Sequence, residues 1–520
     1  MKFIPEALLK NLYTRGSLQN EPEGFSFKIK NRLASAQLVA LLELEVNGTP
    51  IPFENVSAEI NGQQSIAALD LNNGSKIDFG LGKAFKVQVQ FDRLNEGQHT
   101  LKINFKTTPF GKLKFTVKDQ VLENGQSEEA ISKIPRSEED DHSQQAVEER
   151  KKFAAAFSGF DFDHANFDQE NPEVYKNNVE NLVGLAKIPL GIAGPIQING
   201  THAKGEFLIP MATTEGSLIA SYNRGMKLIN LCGGVTCIVV EDRMQRAPVF
   251  VFKSATQTVD FAKWVEAHHN QIKAVAEESS SIAKLTEIEK YITNKFVFLR
   301  FNYSTGDAAG QNMVSKATFE ACNWILDQYK SGIENFYLES NMATDKKPSF
   351  INSLMTRGKR VTAEIVFKRE LLIREMGVEP EQVQNHSSVA NIGAMMSGTN
   401  NNGLHSTNAL AALFIALGQD VANLAESSAG FMYSQITPEG DLYGSITLPS
   451  LIIATHGGGT GLPTQRECLQ LMDCYGPSKA LKLAEIIAGV VAAGEISLAA
   501  GISSLDWVSA HEQLGRNRNT

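Results

Sequence analysis

Five short segments carry side chains able to do chemistry beside residues that tighten a turn or start a helix. In TDKKPS (344–349), Lys346 and Lys347 stand between Asp345 and Pro348. A fixed ammonium can stabilise an oxyanion. The same six residues also read as an ordinary charged turn, which Asp345 favours. In IPMATTEGSLIASYNRG (209–225), Glu215 precedes an apolar helical pattern. Packed among apolar neighbours, its carboxyl would keep its proton to higher pH and could donate it. The plainer reading is compensation of a helix dipole. STGDAAGQNMVSK (304–316) sets small residues ahead of a helix, where backbone N–H groups can face an anion such as a pyrophosphate. It is not the strict dinucleotide fingerprint. THGGGTG (455–461) has three glycines in a row, which permit close backbone approach to a ligand or simply form a loop. SAHEQLGRNRNT (509–520) carries His511, which by itself reads as a surface histidine.

The elements that must position these residues differ along the chain. Over residues 1–123 the segments KVQVQF (86–91), TLKINFK (100–106) and KLKFTVK (112–118) alternate apolar and polar residues, separated by turn signals. That pattern predicts antiparallel strands with one wet face. The module offers no catalytic pattern and reads as a structural or docking domain. Residues 124–145 are polar and acidic and read as a linker, followed by a helix from Ala146 to Phe157. Beyond about 160, short apolar strands alternate with Ala- and Gly-rich helical stretches. RAPVFVFKS (246–254), a helix near 259–278, KFVFLRFNY (295–303) and a helix through 311–330 predict a compact α+β subdomain. Residues 377–420 read as a polar loop feeding a buried helix. AEIIAGVVAAGEISLAAGI, near 484–502, reads as a buried helix interrupted by Glu485 and Glu495.

Composition narrows the class. A chain of 520 residues with 42% hydrophobic and 21% charged residues suits a soluble globular protein of two to four domains. A net charge of −9 argues against a nucleic-acid partner. Five cysteines, none with zinc-ligand spacing to His, predict buried thiols in a reduced, cytoplasmic protein with no metal. No run approaches a membrane span of about 20 apolar residues, and the N-terminus does not read as a signal peptide.

The segments GIAGPIQING, MATTEGSLIASYNRG, GDAAGQNMVSK, IENFYLESNMATDKKPSFIN, IALGQD, GGGTG and SAHEQLGR all occur in this chain. The set resembles 3-hydroxy-3-methylglutaryl-CoA reductase over about residues 160–520, closer to the eukaryotic and archaeal branch than to the bacterial degradative one. The resemblance implies an α+β architecture. A large acyl-CoA domain with a long central helix would span 146–246 and 336–500. An inserted ferredoxin-like nucleotide domain would span 247–335, and a flap 501–520 would carry His511. It implies two hydrides from NADPH, with NADH possible, and sites lying between subunits of at least a homodimer. The β-rich module falls outside the resemblance, and a protein partner for it is conceivable.

By the same resemblance Glu215, Lys346, Asp420 and His511 are catalytic. Lys346 would stabilise the oxyanion while Asp420 holds it. His511, on a mobile tail, would protonate the departing CoA thiolate, and Glu215 the final alkoxide. Arg246, Asn341, Asp345, Lys347 and Asn408 fall at acyl-binding or supporting positions, with Arg246 and Lys347 clamping a free carboxylate. Glu180 and Asn181 match the CoA side. Asp307, Ala308, Gly310, Asn312 and Met313, with Gly457, Gly458, Gly459 and Thr460, match nucleotide-binding segments.

The chain departs from the family in three respects. Glu339 replaces a serine that helps bind the substrate carboxylate, and carboxylates repel. His386 is the nearest match to a carboxylate-binding lysine. Ser280 and Ser281 stand where NADPH users carry Ser-Arg, leaving Lys284 as a point charge for a 2′-phosphate. Two alternatives follow from these departures: a reductase of another acyl-CoA thioester, or a non-catalytic acyl-CoA-binding scaffold.

Overall fold

The computed structural model describes residues 6–505 apart from 34, 61–63, 122–132, 138 and 168–169. The expected strands near the N-terminus form. Gly97–Thr108 and Gly111–Val121 make a long antiparallel hairpin in which Phe115 faces Ile103 and Val117 faces Leu101. Buried and wetter residues alternate along its second strand, as the period-two pattern requires. The hairpin belongs to one of two antiparallel five-stranded sheets that enclose a common apolar core. Leu33 packs against both this core and that of the next subdomain, and Asn323 donates to the Leu33 carbonyl at 3.4 Å. The module therefore rests on the chain's own helix Gln311–Gln328.

The described part of the expected linker is more than a tether. Ser143 caps the helix Gln144–Ser158, and buried His142 bonds the Val179 carbonyl at 2.7 Å. Arg150, 1% exposed, pairs with Asp141 at 2.8 Å and donates to the Leu182 carbonyl at 2.8 Å. Residues 179–182 are thereby pinned from one side.

The rest is organised on one eight-stranded sheet. Its hinge strand is Thr236–Arg246. Residues up to Arg243 pair with Gly358–Phe367, while Met244, Gln245 and Arg246 pair with Tyr303, Asn302 and Phe301. On one side lie the strands Val249–Phe252, Lys284–Thr293, Phe296–Ser304 and Ile333–Tyr337. They are arranged fourth-first-third-second, all antiparallel, with helical connections after the first and third. This is the ferredoxin-like arrangement expected for the insert. Gly358–Phe367, Leu442–Leu451 and Phe431–Ile436 continue the sheet on the other side. Arg246 thus ends the strand that joins the two halves.

The helix Ala480–Ser503 runs through the larger core. Its two glutamates are almost fully buried because each takes backbone N–H groups from a distant loop. Glu485 accepts from Thr201, His202 and Ala203 at 2.7–3.1 Å, and Glu495 from Leu404, His405 and Ser406 at 2.6–2.9 Å. Buried carboxylates are tolerated when their lone pairs are satisfied in this way. Glu495 in turn fixes the start of the helix Ser406–Ala416.

One expectation is corrected. Residues 377–420 are not mainly loop, since a helix spans Pro380–Ser397. Its start is a capping box, with Glu379 and Gln382 bonding reciprocally and Pro380 in the first turn. The helix was hidden by its polar composition. Its apolar face, Val389, Ile392, Met395 and Met396, is 54–82% exposed on the single chain.

Candidate active site

TDKKPS is a turn with an unusual backbone. Asn341, Thr344 and Lys346 all have positive φ, 65°, 59° and 58°. Non-glycine residues hold that conformation only where surroundings enforce it. Here Thr344 Oγ1 donates to Asn352 at 2.8 Å, and Glu426 accepts the Lys346 backbone N–H at 3.1 Å. Pro348 ends the turn, and Ser349 caps the short helix Phe350–Leu354.

Behind the turn lies a buried charge network. Arg357, fully buried, binds Asp345 at 2.7 Å with one arm and Glu426 with the other. Arg246 reaches the same Asp345 at 3.1 Å, and Gln311 donates to it at 3.2 Å. Burial pushes the Asp345 carboxyl up, but Arg357 and Arg246 pull it lower overall. Glu426 ends on the other side: burial raises it to about 7 despite the guanidinium. Neither Arg357 nor Glu426 stood out in the sequence. The available signal was slight, Arg357 beside Lys359 in MTRGK and a lone Glu426 in LAESSAG.

In front of the turn, Lys346 Nζ meets Asp420 Oδ2 at 2.8 Å, with both side chains about two-fifths exposed. Asp420 also accepts the Ala422 N–H at 3.0 Å, which fixes its carboxylate. The loop before it is set by Gln419, which bonds both the N–H and the carbonyl of Ala454 at 2.7 and 3.0 Å. Gly418 and Gly459 touch backbone to backbone so closely that a Cβ on either would collide. The Asp420 loop and the glycine-rich loop are therefore one packed unit.

The expected nucleotide segments converge here. Gly310, at φ 79°, precedes the helix Gln311–Gln328, and any side chain there would strike Thr305. Gln311 reaches both Asp345 and Asn423, tying this helix start to the TDKKPS turn. Asn312 and Met313 follow in its first turn. Asp307 is occupied structurally, its carboxylate accepting the N–H groups of Ser478, Lys479 and Ala480 at 2.6–3.0 Å. The Ala308 carbonyl takes the Thr305 hydroxyl, and Thr460 closes on Gly457 at 2.7 Å. Gly457 and Gly458 have open space where side chains would be.

Other expected residues lie apart. Glu215 is exposed on the turn before the helix Leu218–Leu231, so the apolar enclosure expected from its flanks is absent within one chain. No hydrogen bond or ion pair links it to Lys346 or Asp420 among the described residues. Asn408 bonds His405 at 2.9 Å, and His405 stacks on Tyr222 beyond the Glu215 turn. His386 lines a cleft with Asn402 and Tyr433 rather than joining Arg246 and Lys347. Glu180 is exposed, and Asn181 adopts φ 51° beside the pinned Leu182. His511 lies outside the described residues.

Comparison with known proteins gives a consistent match. Residues 146–516 fit the family model described as hydroxymethylglutaryl-coenzyme A reductase. Residues 8–122 fit the model of the hydroxymethylglutaryl-CoA reductase N-terminal domain, so the β-rich module, set outside the sequence resemblance, is also a family component. The 3-hydroxy-3-methylglutaryl-coenzyme A reductase of Methanocaldococcus jannaschii is 40% identical over 377 residues, covering 71% of this chain and 93% of that protein. That of Aeropyrum pernix is 43% identical over 350 residues, 66% of this chain and 83% of that protein. Among solved structures, a class II 3-hydroxy-3-methylglutaryl-CoA reductase from Streptococcus pneumoniae, bound to NADPH in open conformations, aligns with TM-score 0.53 and 21% identity over 69% of this chain and 94% of that one. At that identity the likeness establishes the fold.

Proposed function

The chain belongs to the hydroxymethylglutaryl-CoA reductase family, and from that premise we propose how its residues reduce 3-hydroxy-3-methylglutaryl-CoA to mevalonate and CoA. The observation that carries the reading is the Lys346–Asp420 pair, 2.8 Å apart and half-exposed where the helix start and the glycine loop meet. Lys346 donates to the thioester oxygen as it becomes an oxyanion, and Asp420 holds the ammonium in place. Arg246 and Lys347 receive the free carboxylate of the acyl group. Asn341, Asp345 and Asn408 support that pocket, and Glu180 and Asn181 lie on the CoA side.

The nicotinamide cofactor fits the residues present. An 18-residue helix starts at Gln311 beside the turn, and Gly457 and Gly458 leave room for a pyrophosphate against bare backbone. Ala308, Gly310, Asn312 and Met313, with Gly457 to Thr460, would hold it, while Asp307, its carboxylate taken by the Ser478, Lys479 and Ala480 N–H groups, would shape the loop. When bound, the nicotinamide supplies two hydrides in succession. NADPH is our first choice and NADH the second. His511 then protonates the departing thiolate, and Glu215 the alkoxide.

Glu215 is separate from Lys346 in one chain and the apolar face of Pro380–Ser397 is bare. Both observations support a homodimer in which each site takes its glutamate from the neighbouring copy. We place the enzyme in the cytoplasm. Its cysteines are unpaired, and the apolar helix Ala480–Ser503 is 78% buried within the fold.

The primary test is nicotinamide absorbance with the purified chain and 3-hydroxy-3-methylglutaryl-CoA, expecting two cofactors oxidised per thioester. Absence of turnover with both NADPH and NADH would sink the reading. Mixing Glu215→Gln with Lys346→Met protein tests the shared site. With random re-pairing, half the dimers are hybrids, each with one intact site, so about a quarter of wild-type activity returns. No recovery after verified subunit exchange rejects the shared site.

A further inference from the structure

Arg246 has no idle face. Its Nε donates to Ser315 Oγ at 2.6 Å and its Nη2 to the Gln311 carbonyl at 3.4 Å. Its Nη1 is divided between two carboxylates, Asp345 at 3.1 Å and Glu339 at 3.2 Å. The two acids are not equivalent. Asp345 is gripped from behind by Arg357 and Gln311, as described above. Glu339 is 43% exposed and stands at the rim. Its other oxygen accepts the N–H groups of Ser340 and Asn341 at 3.0 and 2.7 Å, which aims the free oxygen at Arg246.

Counting charge sharpens the point. Around the turn stand four cations, Arg246, Arg357, Lys346 and Lys347. Facing them are the carboxylates Glu339, Asp345 and Asp420 and the Glu426 carboxyl, which burial raises to about 7. Three of these acids sit behind or beside the catalytic lysine. Without Glu339 the cluster would hold at least one positive charge in excess, which the carboxylate of an incoming acyl group would neutralise. With Glu339 that charge is already met.

We propose that Glu339 is a built-in latch on the substrate-carboxylate site, an internal carboxylate that occupies Arg246 until the substrate's own carboxylate displaces it. This rests on the functional reading above, in which Arg246 receives that carboxylate. The rim position allows the exchange, because Glu339 can turn into solvent without leaving a buried hole. Lys347 provides the landing point. Its ammonium meets only the Asp345 carbonyl, at 3.3 Å, among the described residues, so it can pair with the arriving carboxylate before Arg246 is released. A serine here would make no such competition, and the latch therefore taxes binding rather than the chemical steps.

The test compares wild type with Glu339→Gln and Glu339→Ser in the full chain. Removing a competing, solvent-exposed ion pair is worth up to about 1 kcal/mol, or about fivefold. The KM for 3-hydroxy-3-methylglutaryl-CoA is expected to fall about fivefold in both variants. Turnover at saturation should move less than twofold, with KM for the nicotinamide unchanged. Calorimetry provides a readout independent of turnover. Affinity for 3-hydroxy-3-methylglutaryl-CoA should rise in the variants, and affinity for acetyl-CoA, which has no free carboxylate, should not. Unchanged or weakened binding of the carboxylate thioester in both variants overturns the latch, as does an equal gain for both thioesters. If wild type reduces no 3-hydroxy-3-methylglutaryl-CoA, the functional reading falls while calorimetry still decides the latch.

Discussion

Asp345 and Asp420 flank one lysine and live under opposite conditions. Asp345 is locked between two guanidiniums and an amide, with Arg357 fully buried behind it. Asp420 has Lys346 as its one ion partner among the described residues, with the Ala422 N–H as its other hold, and both charged side chains are two-fifths exposed. The first arrangement fixes the backbone of the turn, including three residues at positive φ. The second leaves an ammonium where a substrate can reach it. Rigid charge behind and open charge in front is what a site needs to be preorganised yet accessible.

Substituting one residue from each side breaks the comparison cleanly. Lys346→Met should lower kcat by about 10²–10³-fold, the scale of a lost oxyanion donor. Its melting temperature should barely change, because an exposed pair contributes little to stability. Arg357→Met should do the reverse first. It strands Asp345 and Glu426 without their buried partner, at about 3–5 kcal/mol. Thermal unfolding together with kcat separates the two. A Lys346→Met protein that unfolded as readily as Arg357→Met would contradict the division.

A pH experiment sharpens the same contrast. Glu426 accepts from Arg357 and from the Lys346 backbone, yet burial raises its carboxyl from 4.5 to about 7. Between those values the folded chain keeps this proton and the unfolded chain has released it. Its contribution is therefore fully present below about pH 4.5 and is lost as pH rises through about 7, at most about 3 kcal/mol. Glu426→Gln should flatten that slope in urea titrations from pH 5 to 8. Asp345 works in the opposite sense, because its carboxyl is lowered. Its contribution is present above the ordinary carboxylate range and is lost in acid. If Glu426→Gln left the pH 5–8 slope as it was, the raised carboxyl would not be the source.

These contrasts also explain what the sequence disclosed. Lys346 and Asp420 were legible because each lies in a short segment whose types and order survive as a pattern. The strands of the N-terminal hairpin were legible because period two is local. Arg357 and Glu426 were not, since a buried ion pair spanning 69 positions leaves no spacing to read. Glu485 and Glu495 correctly marked a buried helix, but their reason lay hundreds of residues upstream or in a distant loop, in the N–H groups of Ala203 and His405. The helix Pro380–Ser397 was missed although its signal, Glu379-Pro380-Glu381-Gln382, was local. Polar composition outweighed the cap. Glu215 was read as enclosed because its flanks are apolar, yet within the chain it stands exposed on the turn before Leu218–Leu231.

The smallest effect concerns an exposed cation of the inserted subdomain. Lys284 begins the strand Lys284–Thr293, just after the serines that replace Ser-Arg. Its ammonium lies 3.9 Å from Glu277, which Lys273 already holds at 2.6 Å. A cation so loosely paired and 53% exposed can turn to a 2′-phosphate, unlike the pinned Arg246. Being a point charge, it should discriminate weakly, because it lacks the bidentate fork of an arginine. Lys284→Ala is therefore expected to raise KM for NADPH about threefold, within the range of an exposed ion pair, and to leave KM for NADH unchanged. Initial rates with both cofactors check this. Equal changes for the two would remove Lys284 from phosphate recognition and leave the backbone cradle at Gly457 and Gly458 as the shared determinant.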